Sequence, residues 1–139
     1  MYPNNDHGSE YILAAYDKLK QCNRIELVPS LRFEYVLSFL KHADFLIANS
    51  SVGLHETPIY GLPAIHIGTR QQNRFRCDRI FDVDFIKTHI LEQIGMIKTH
   101  SRYASYDFYG DGTSADKFMQ ALNDKLWNIS NQKQFKDLI

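Results

Sequence analysis

Cysteine is scarce in this chain: Cys22 and Cys77 are the two thiols among 139 residues, and they lie far apart. That excludes a disulfide framework and a CxxC pair, and it fits a reducing, cytoplasmic setting. An excess of one charge is also lacking. Lys and Arg number 16, Asp and Glu number 16, and the formal net charge is zero. A nucleic-acid-binding domain carries a basic excess and a disordered acidic tail the opposite, so neither is expected. No apolar run approaches the roughly 20 residues that span a bilayer, so no membrane partner is expected either. The stretch Met1-Tyr2-Pro3-Asn4-Asn5-Asp6 is polar where a secretion signal needs an apolar core. There is no internal repeat, no Walker A sequence, no GxGxxG and no G-x-S-x-G elbow. His7, His42, His55, His66, His89 and His100 show no ligand spacing with carboxylates or thiols, so neither a metal nor another cofactor is expected.

What is present is an ordinary globular composition, 44% hydrophobic, 23% charged and 13% aromatic, at a length for one domain. The length excludes a full two-domain enzyme of roughly 300 residues. Short apolar runs alternate with helical patterns. Ser9 is expected to cap a helix to about Gln21, with Ile12, Leu13, Tyr16 and Leu19 on one side. Ile25–Val28 reads as a strand, and Ser30 as the cap of a helix carrying Phe33, Val36, Leu37 and Leu40. Phe45–Ala48, Ala64–Ile67 and Ile80–Val83 read as three more strands. A helix begins near Val52 or Gly53, another runs from Asp84 to about Gly95, and Thr113 caps a last one through Trp127. That last helix is expected to turn Phe118, Met119, Leu122 and Leu126 inward. Short apolar strands followed by helices are βα units, and strands covered on both faces imply a parallel sheet. The expected class is α/β, a Rossmann-like parallel sheet with helices on both faces, where ligands sit at the carboxyl ends of the strands.

The loops at those ends carry the candidate chemistry. Asn49-Ser50-Ser51-Val52-Gly53-Leu54-His55-Glu56 follows a buried strand and opens a helix. Free N–H groups, two hydroxyls and Gly53 suit phosphate oxygens, and Glu56 could accept ribose hydroxyl bonds. The same pattern also fits a serine N-cap with an acidic first turn. In Gly68–Arg79, four of the seven arginines (Arg70, Arg74, Arg76, Arg79) fall within ten residues. Their planar forks suit phosphate, although a solvated basic loop or a protein-docking loop reads the same way. Tyr2-Pro3-Asn4-Asn5-Asp6-His7-Gly8-Ser9 would face the same cleft or be a frayed turn. Tyr109-Gly110-Asp111-Gly112 reads as a turn before a capped helix. His66, within an apolar strand, reads as a satisfied core histidine.

Asn49-Ser-Ser-x-Gly-x-x-Glu56, Gly61-x-Pro63, Ile67-Gly-Thr-Arg-Gln71 with Arg74, the Tyr2–Ser9 stretch and Tyr109–Gly112 together resemble the UDP-N-acetylglucosamine 2-epimerases, nearer the hydrolysing branch of sialic acid biosynthesis. Any one motif is weak, whereas five in register are fairly specific. The resemblance implies a two-domain glycosyltransferase-B architecture. Residues 1–139 would be the incomplete C-terminal, UDP-binding domain, without its first strand and helix. It further implies that Ser50 and Ser51 hold the UDP phosphates and Glu56 takes the ribose hydroxyls. Arg70 would lie against the nucleotide, the Val28 backbone would contact uracil, and Asn4 would reach the substrate. Three positions depart from the family pattern: His7 stands where proline is usual, Asn73 where glycine precedes Arg74, and Cys77 where a small residue is common.

The implied reaction eliminates UDP across C1 and C2 of the sugar, and water then adds to give N-acetylmannosamine. The catalytic residues would lie outside this chain, which alone would be inactive. The implied partners are UDP-GlcNAc or UDP and the N-terminal domain, with a homo-oligomer left open. Two alternatives stand beside this reading: the UDP-sugar-binding domain of a glycosyltransferase, and a catalytically inert α/β interaction module.

Overall fold

The structure, a computed structural model, describes residues 1–3, 5–97, 102–124, 127, 130 and 132. They fall into two units, Met1–Ser105 and Tyr106–Ile139. In the first unit three short apolar runs become strands: β1 Leu46–Ala48, β2 Ala64–Ile67 and β3 Ile80–Val83. All pair in parallel, in the order β1-β2-β3. β2 is central, and Ala64 and Ile65 are fully buried. A strand inaccessible to water on both faces needs a continuous apolar run rather than alternation, which is what the β2 sequence offers. His66 is the exception within it. The register sets His66 between Ala48 of β1 and Asp82 of β3, so the three side chains share a face.

The helices are α1 Ser9–Leu19, α2 Phe33–His42, α3 Val52–His55 and α4 Lys87–Ile97, with a 3₁₀ turn at Thr57–Tyr60. α3 is a single turn because the chain tightens at once into that 3₁₀ turn, where Pro58 has no N–H to extend an α-helical ladder. Leu54 and Leu62 flank this segment and are fully buried, and the Thr57 hydroxyl donates to the Gly53 carbonyl at 2.9 Å. Gly61 ends the turn at φ 60, and a Cβ there would lie 2.9 Å from the Tyr103 carbonyl carbon. Arg102 reaches back from the end of the unit. Its guanidinium donates to the carbonyls of Tyr60 at 2.8 Å and Ala43 at 2.6 Å, serving the orphan acceptors at the ends of α2 and the 3₁₀ turn.

Several expectations need correction. Ile25–Val28 is not a strand. What joins it to the N-terminal segment is a bond from the Tyr2 N–H to the Val28 carbonyl, 3.1 Å, and a strand exists only where a neighbour supplies a ladder. Ser9 and Ser30 are not caps. Gly8, at φ 92, precedes α1, and the Ser9 hydroxyl donates back to the Asp6 carbonyl; Arg32 precedes α2. No residue of α1 is buried, and Ile12, Leu13 and Leu19 are exposed, because too little sheet is present to cover an apolar stripe of that length. α4 begins at Lys87 rather than Asp84.

The second unit contains α5, Ser114–Asp124. Asp111 organises its start: one carboxylate oxygen accepts the Thr113 N–H at 3.1 Å and the Thr113 hydroxyl at 2.5 Å, and Lys117 lies 3.2 Å away. The Thr113 hydroxyl and backbone bonds, with Lys117, hold the Asp111 carboxyl down at about 2. Phe118 and Met119 are exposed rather than inward, Leu122 is half-buried, and Leu126 lies outside the described residues. No helix among the described residues is long and apolar enough to cross a membrane.

Two stability changes follow. Gly61→Ala combines a left-handed backbone with a collision against backbone, so it should cost about 2 kcal/mol or more in urea unfolding. Burial holds the His66 pKa below its ordinary 6.5. The unfolded chain therefore binds more protons, and stability should fall as pH drops below 6.5 toward the folded-state value. Burial of Glu56 acts with opposite sign, above its ordinary 4.5. His66→Asn should flatten the first slope in unfolding curves taken as the pH is lowered from about 7.5.

Candidate functional site

The serine turn begins where β1 ends. Its hydrogen bonds are local: the Ser50 hydroxyl oxygen accepts the Val52 N–H at 3.2 Å, and the Leu54 N–H donates to the Ser51 carbonyl at 2.8 Å. The expected helix N-terminus with free N–H groups is therefore not what this turn offers. α3 has one turn of dipole, and the Val52 N–H is already engaged. What remains is hydroxyl chemistry. Ser50 accepts from Val52 and still has its own proton to donate. Ser51 sits in the N-cap position and makes no side-chain cap bond. Gly53 also has a different reason from the expected one. It is buried and faces inward, and a Cβ there would come to 2.8 Å of His66 Cδ2 and closer to Nε2.

The basic loop leaves β2 through Gly68, whose φ is 79 and whose N–H donates to the Val83 carbonyl at 2.8 Å. Gln71 then turns inward. Its side chain is 5% exposed, and its amide donates to the Asn49 carbonyl at 2.9 Å, fastening the loop to the serine turn. Arg76 closes the loop on itself, donating to the Gln71 carbonyl at 2.8 Å and pairing with Asp82 at 2.9 Å. Asn73 adopts φ 63. Asparagine is among the few side chains that tolerate this region, so it keeps the backbone path that a glycine would take.

The four arginines separate into different roles. Arg70 and Arg74 are exposed. Arg76 is the intraloop tie. Arg79 is no phosphate ligand: it is 6% exposed, donates to the Ala104 carbonyl, pairs with Asp78 at 3.2 Å and lies over the Tyr103 ring at 5.5 Å. Its burial follows from its place immediately before β3.

Glu56 closes α3 and opens the 3₁₀ turn. Burial raises its pKa, partly offset by His55. Its Oε2 is buried and has no hydrogen-bond partner. A carboxylate oxygen without donors is costly, about 1–3 kcal/mol, and donors from a ligand would relieve it. His66 is buried but not satisfied. It is 1% exposed, and neither ring nitrogen has a hydrogen-bond partner; the nearest acid, Asp82, is 4.0 Å from Nδ1.

Of the expected site residues, the Gln71–Asn49 bond brings the loop of Arg70 to the turn of Ser50 and Ser51, and Glu56 follows that turn by one helical turn. Val28 is half-buried, with its carbonyl taken by Tyr2; Asn4 lies outside the described residues. Sequence reasoning named Gln71 within a motif without a role and overlooked Asp82; the importance of both lies in contacts made across the fold. A polar cleft of about 240 Å³ opens between Gly68, Gln72, Asp84, His89 and Glu92. Its carboxylates suit no diphosphate. Among the described residues no group of three or more His, Cys, Asp or Glu could hold a metal ion.

Comparison with known proteins gives this geometry its context. The chain is 40% identical over 142 residues to a UDP-N-acetylglucosamine 2-epimerase of Neisseria meningitidis, covering 99% of this chain and 37% of that protein. A hydrolyzing UDP-N,N'-diacetylbacillosamine 2-epimerase of Legionella pneumophila is 26% identical over 120 residues, covering 86% of this chain and 32% of the relative. The polysialic acid biosynthesis protein P7 of Escherichia coli is 33% identical over 93 residues, covering 67% of this chain and 24% of the relative. The chain thus spans about a third of the first two relatives, as their 37% and 32% show. The model of the UDP-N-acetylglucosamine 2-epimerase family matches residues 1–123, serine turn, basic loop and all but the last residue of α5 included, and the chain belongs to that family.

Proposed function

We propose that this chain is the UDP-binding part of a UDP-N-acetylglucosamine 2-epimerase of glycosyltransferase-B type, and that the complete enzyme is hydrolysing. The observation that carries the nucleotide reading is Glu56 Oε2, a buried acceptor without donors, placed one turn after a pair of serine hydroxyls. A ribose presents two adjacent hydroxyls, which are the donors such an oxygen lacks. In this reading Ser50 and Ser51 donate to the phosphates, Arg70 adds charge from the basic loop, and the Val28 backbone and Asn4 approach the base and sugar. Fixed donors on the diphosphate favour the charge that develops as UDP leaves, so the chain's contribution to catalysis is stabilisation of the leaving group. We assign no catalytic base within it. The hydrolysing outcome is supported by the likeness to the Legionella relative, whose name contains that reaction, and a role in sialic acid biosynthesis by the polysialic acid relative.

Calorimetric titration of the full chain should show UDP binding with no turnover of UDP-GlcNAc. Ser51→Ala and Arg70→Ala should each weaken binding about tenfold or more, roughly 1.4 kcal/mol. UDP affinity that survives both changes would refute these assignments. Glu56 has a separate signature. Its ionised form is the stronger acceptor for the two hydroxyls, and burial raises its pKa above 4.5, so affinity should rise with pH through that raised value. Glu56→Gln should lower affinity about tenfold, flatten the pH profile and erase the preference for UDP over 2′-deoxy-UDP.

A further inference from the structure

We propose that His66 is a positioning residue for the nucleotide site, its ring propping the Gly53 backbone and so setting where the Ser50–Ser51 hydroxyls stand. The proposal rests on the reading of the serine turn as the UDP-phosphate site. Three observations on the same ring support it.

The first is steric. α3 is a single turn, too short to hold its own position, and what lies against its Gly53 is the imidazole of His66. A methyl group at Gly53 would collide with that ring, so the turn can seat this close to β2 only because residue 53 has no side chain. The ring itself cannot retreat. It is 1% exposed, on the central strand, between register partners on β1 and β3.

The second is chemical. The rest of β2 is Ala64, Ile65 and Ile67, and an aliphatic side chain would fill position 66 without leaving polar atoms bare. His66 leaves both ring nitrogens without a hydrogen-bond partner. Packing alone does not favour such a residue. A rigid, flat ring that is polar at both edges suits a position that must hold one backbone at a fixed height and stay coupled to a neighbouring charge.

The third is connectivity. His66 Nδ1 is 4.0 Å from Asp82, Asp82 pairs with Arg76 at 2.9 Å, Arg76 donates to the Gln71 carbonyl at 2.8 Å, and Gln71 donates to the Asn49 carbonyl at 2.9 Å. This path leaves the serine turn at Gly53 and returns to it at Asn49. The ring therefore braces the turn from below while its neighbours pull the basic loop onto the same turn. The charged groups facing the ring are Asp82 from β3 and Arg76 from the loop; β1 presents Ala48, and α3 presents backbone.

The test reads the wild-type ring and two compensating changes. In the wild-type chain, UDP titration should shift the His66 ring resonances, identified by triple-resonance assignment of that chain. Gly53→Ala and His66→Asn should each weaken UDP binding about tenfold. Gly53→Ala combined with His66→Ser, which makes room for the methyl group, should recover most of the affinity lost in Gly53→Ala. A purely structural contact would show recovery of melting temperature without recovery of affinity, and that result would overturn the proposal. So would UDP binding that leaves the ring resonances unmoved, which decides the matter even if a variant does not fold. A wild-type chain that binds no UDP would instead remove the phosphate-site reading and this proposal with it.

Discussion

One buried amide, Gln71 donating to the Asn49 carbonyl, holds the two halves of the site together. The serine turn follows β1 and the basic loop follows β2, and parallel pairing of short strands brings their carboxyl ends side by side without fixing the loops beyond them. A loop this polar would otherwise sample many conformations, and each would carry Arg70 to a different place. The Gln71 side chain removes that freedom because it is enclosed. An amide shut away from water keeps its one good acceptor or suffers the full desolvation cost.

Arg76 and Asn73 complete the arrangement. Arg76 spends its charge inside the loop, on Asp82 and on the Gln71 carbonyl. Asn73 supplies the left-handed backbone that reverses the chain. The exposed Arg70 and Arg74 remain outside the turn that these residues shape. The arginine concentration thus divides by burial: Arg79 stabilises the fold, Arg76 shapes the loop, and Arg70 and Arg74 face outward.

Residue by residue, legibility followed how local the cause was. β2 and β3 were readable to the residue, because three apolar residues in a run of four between loop signals leave one place for a buried strand. Ile25–Val28 looked the same and is no strand, since pairing depends on a neighbour and not on the run itself. Ser50, Ser51 and Glu56 could be singled out from their order along the chain. The burial of Gln71 and Arg79, the bare nitrogens of His66 and the inward face of Gly53 could not, because each depends on what another segment brings against it. The helix termini misled for a related reason: Ser9 and Ser30 have the right chemistry for caps, but the backbone reached helical geometry through Gly8 and Arg32.

β1 has a consequence of another kind. Among the described residues it is hydrogen-bonded on one side only, and Ile47 at its centre is 39% exposed. An open strand edge is a template for any other strand, and Phe33, Tyr35 and Phe39 add exposed aromatic surface on α2. Three residues make a short template, which limits how firmly copies can join. Any pairing of copies through this edge would make protein concentration a thermodynamic variable, so that the species meeting a nucleotide in a dilute sample and in a concentrated one would differ.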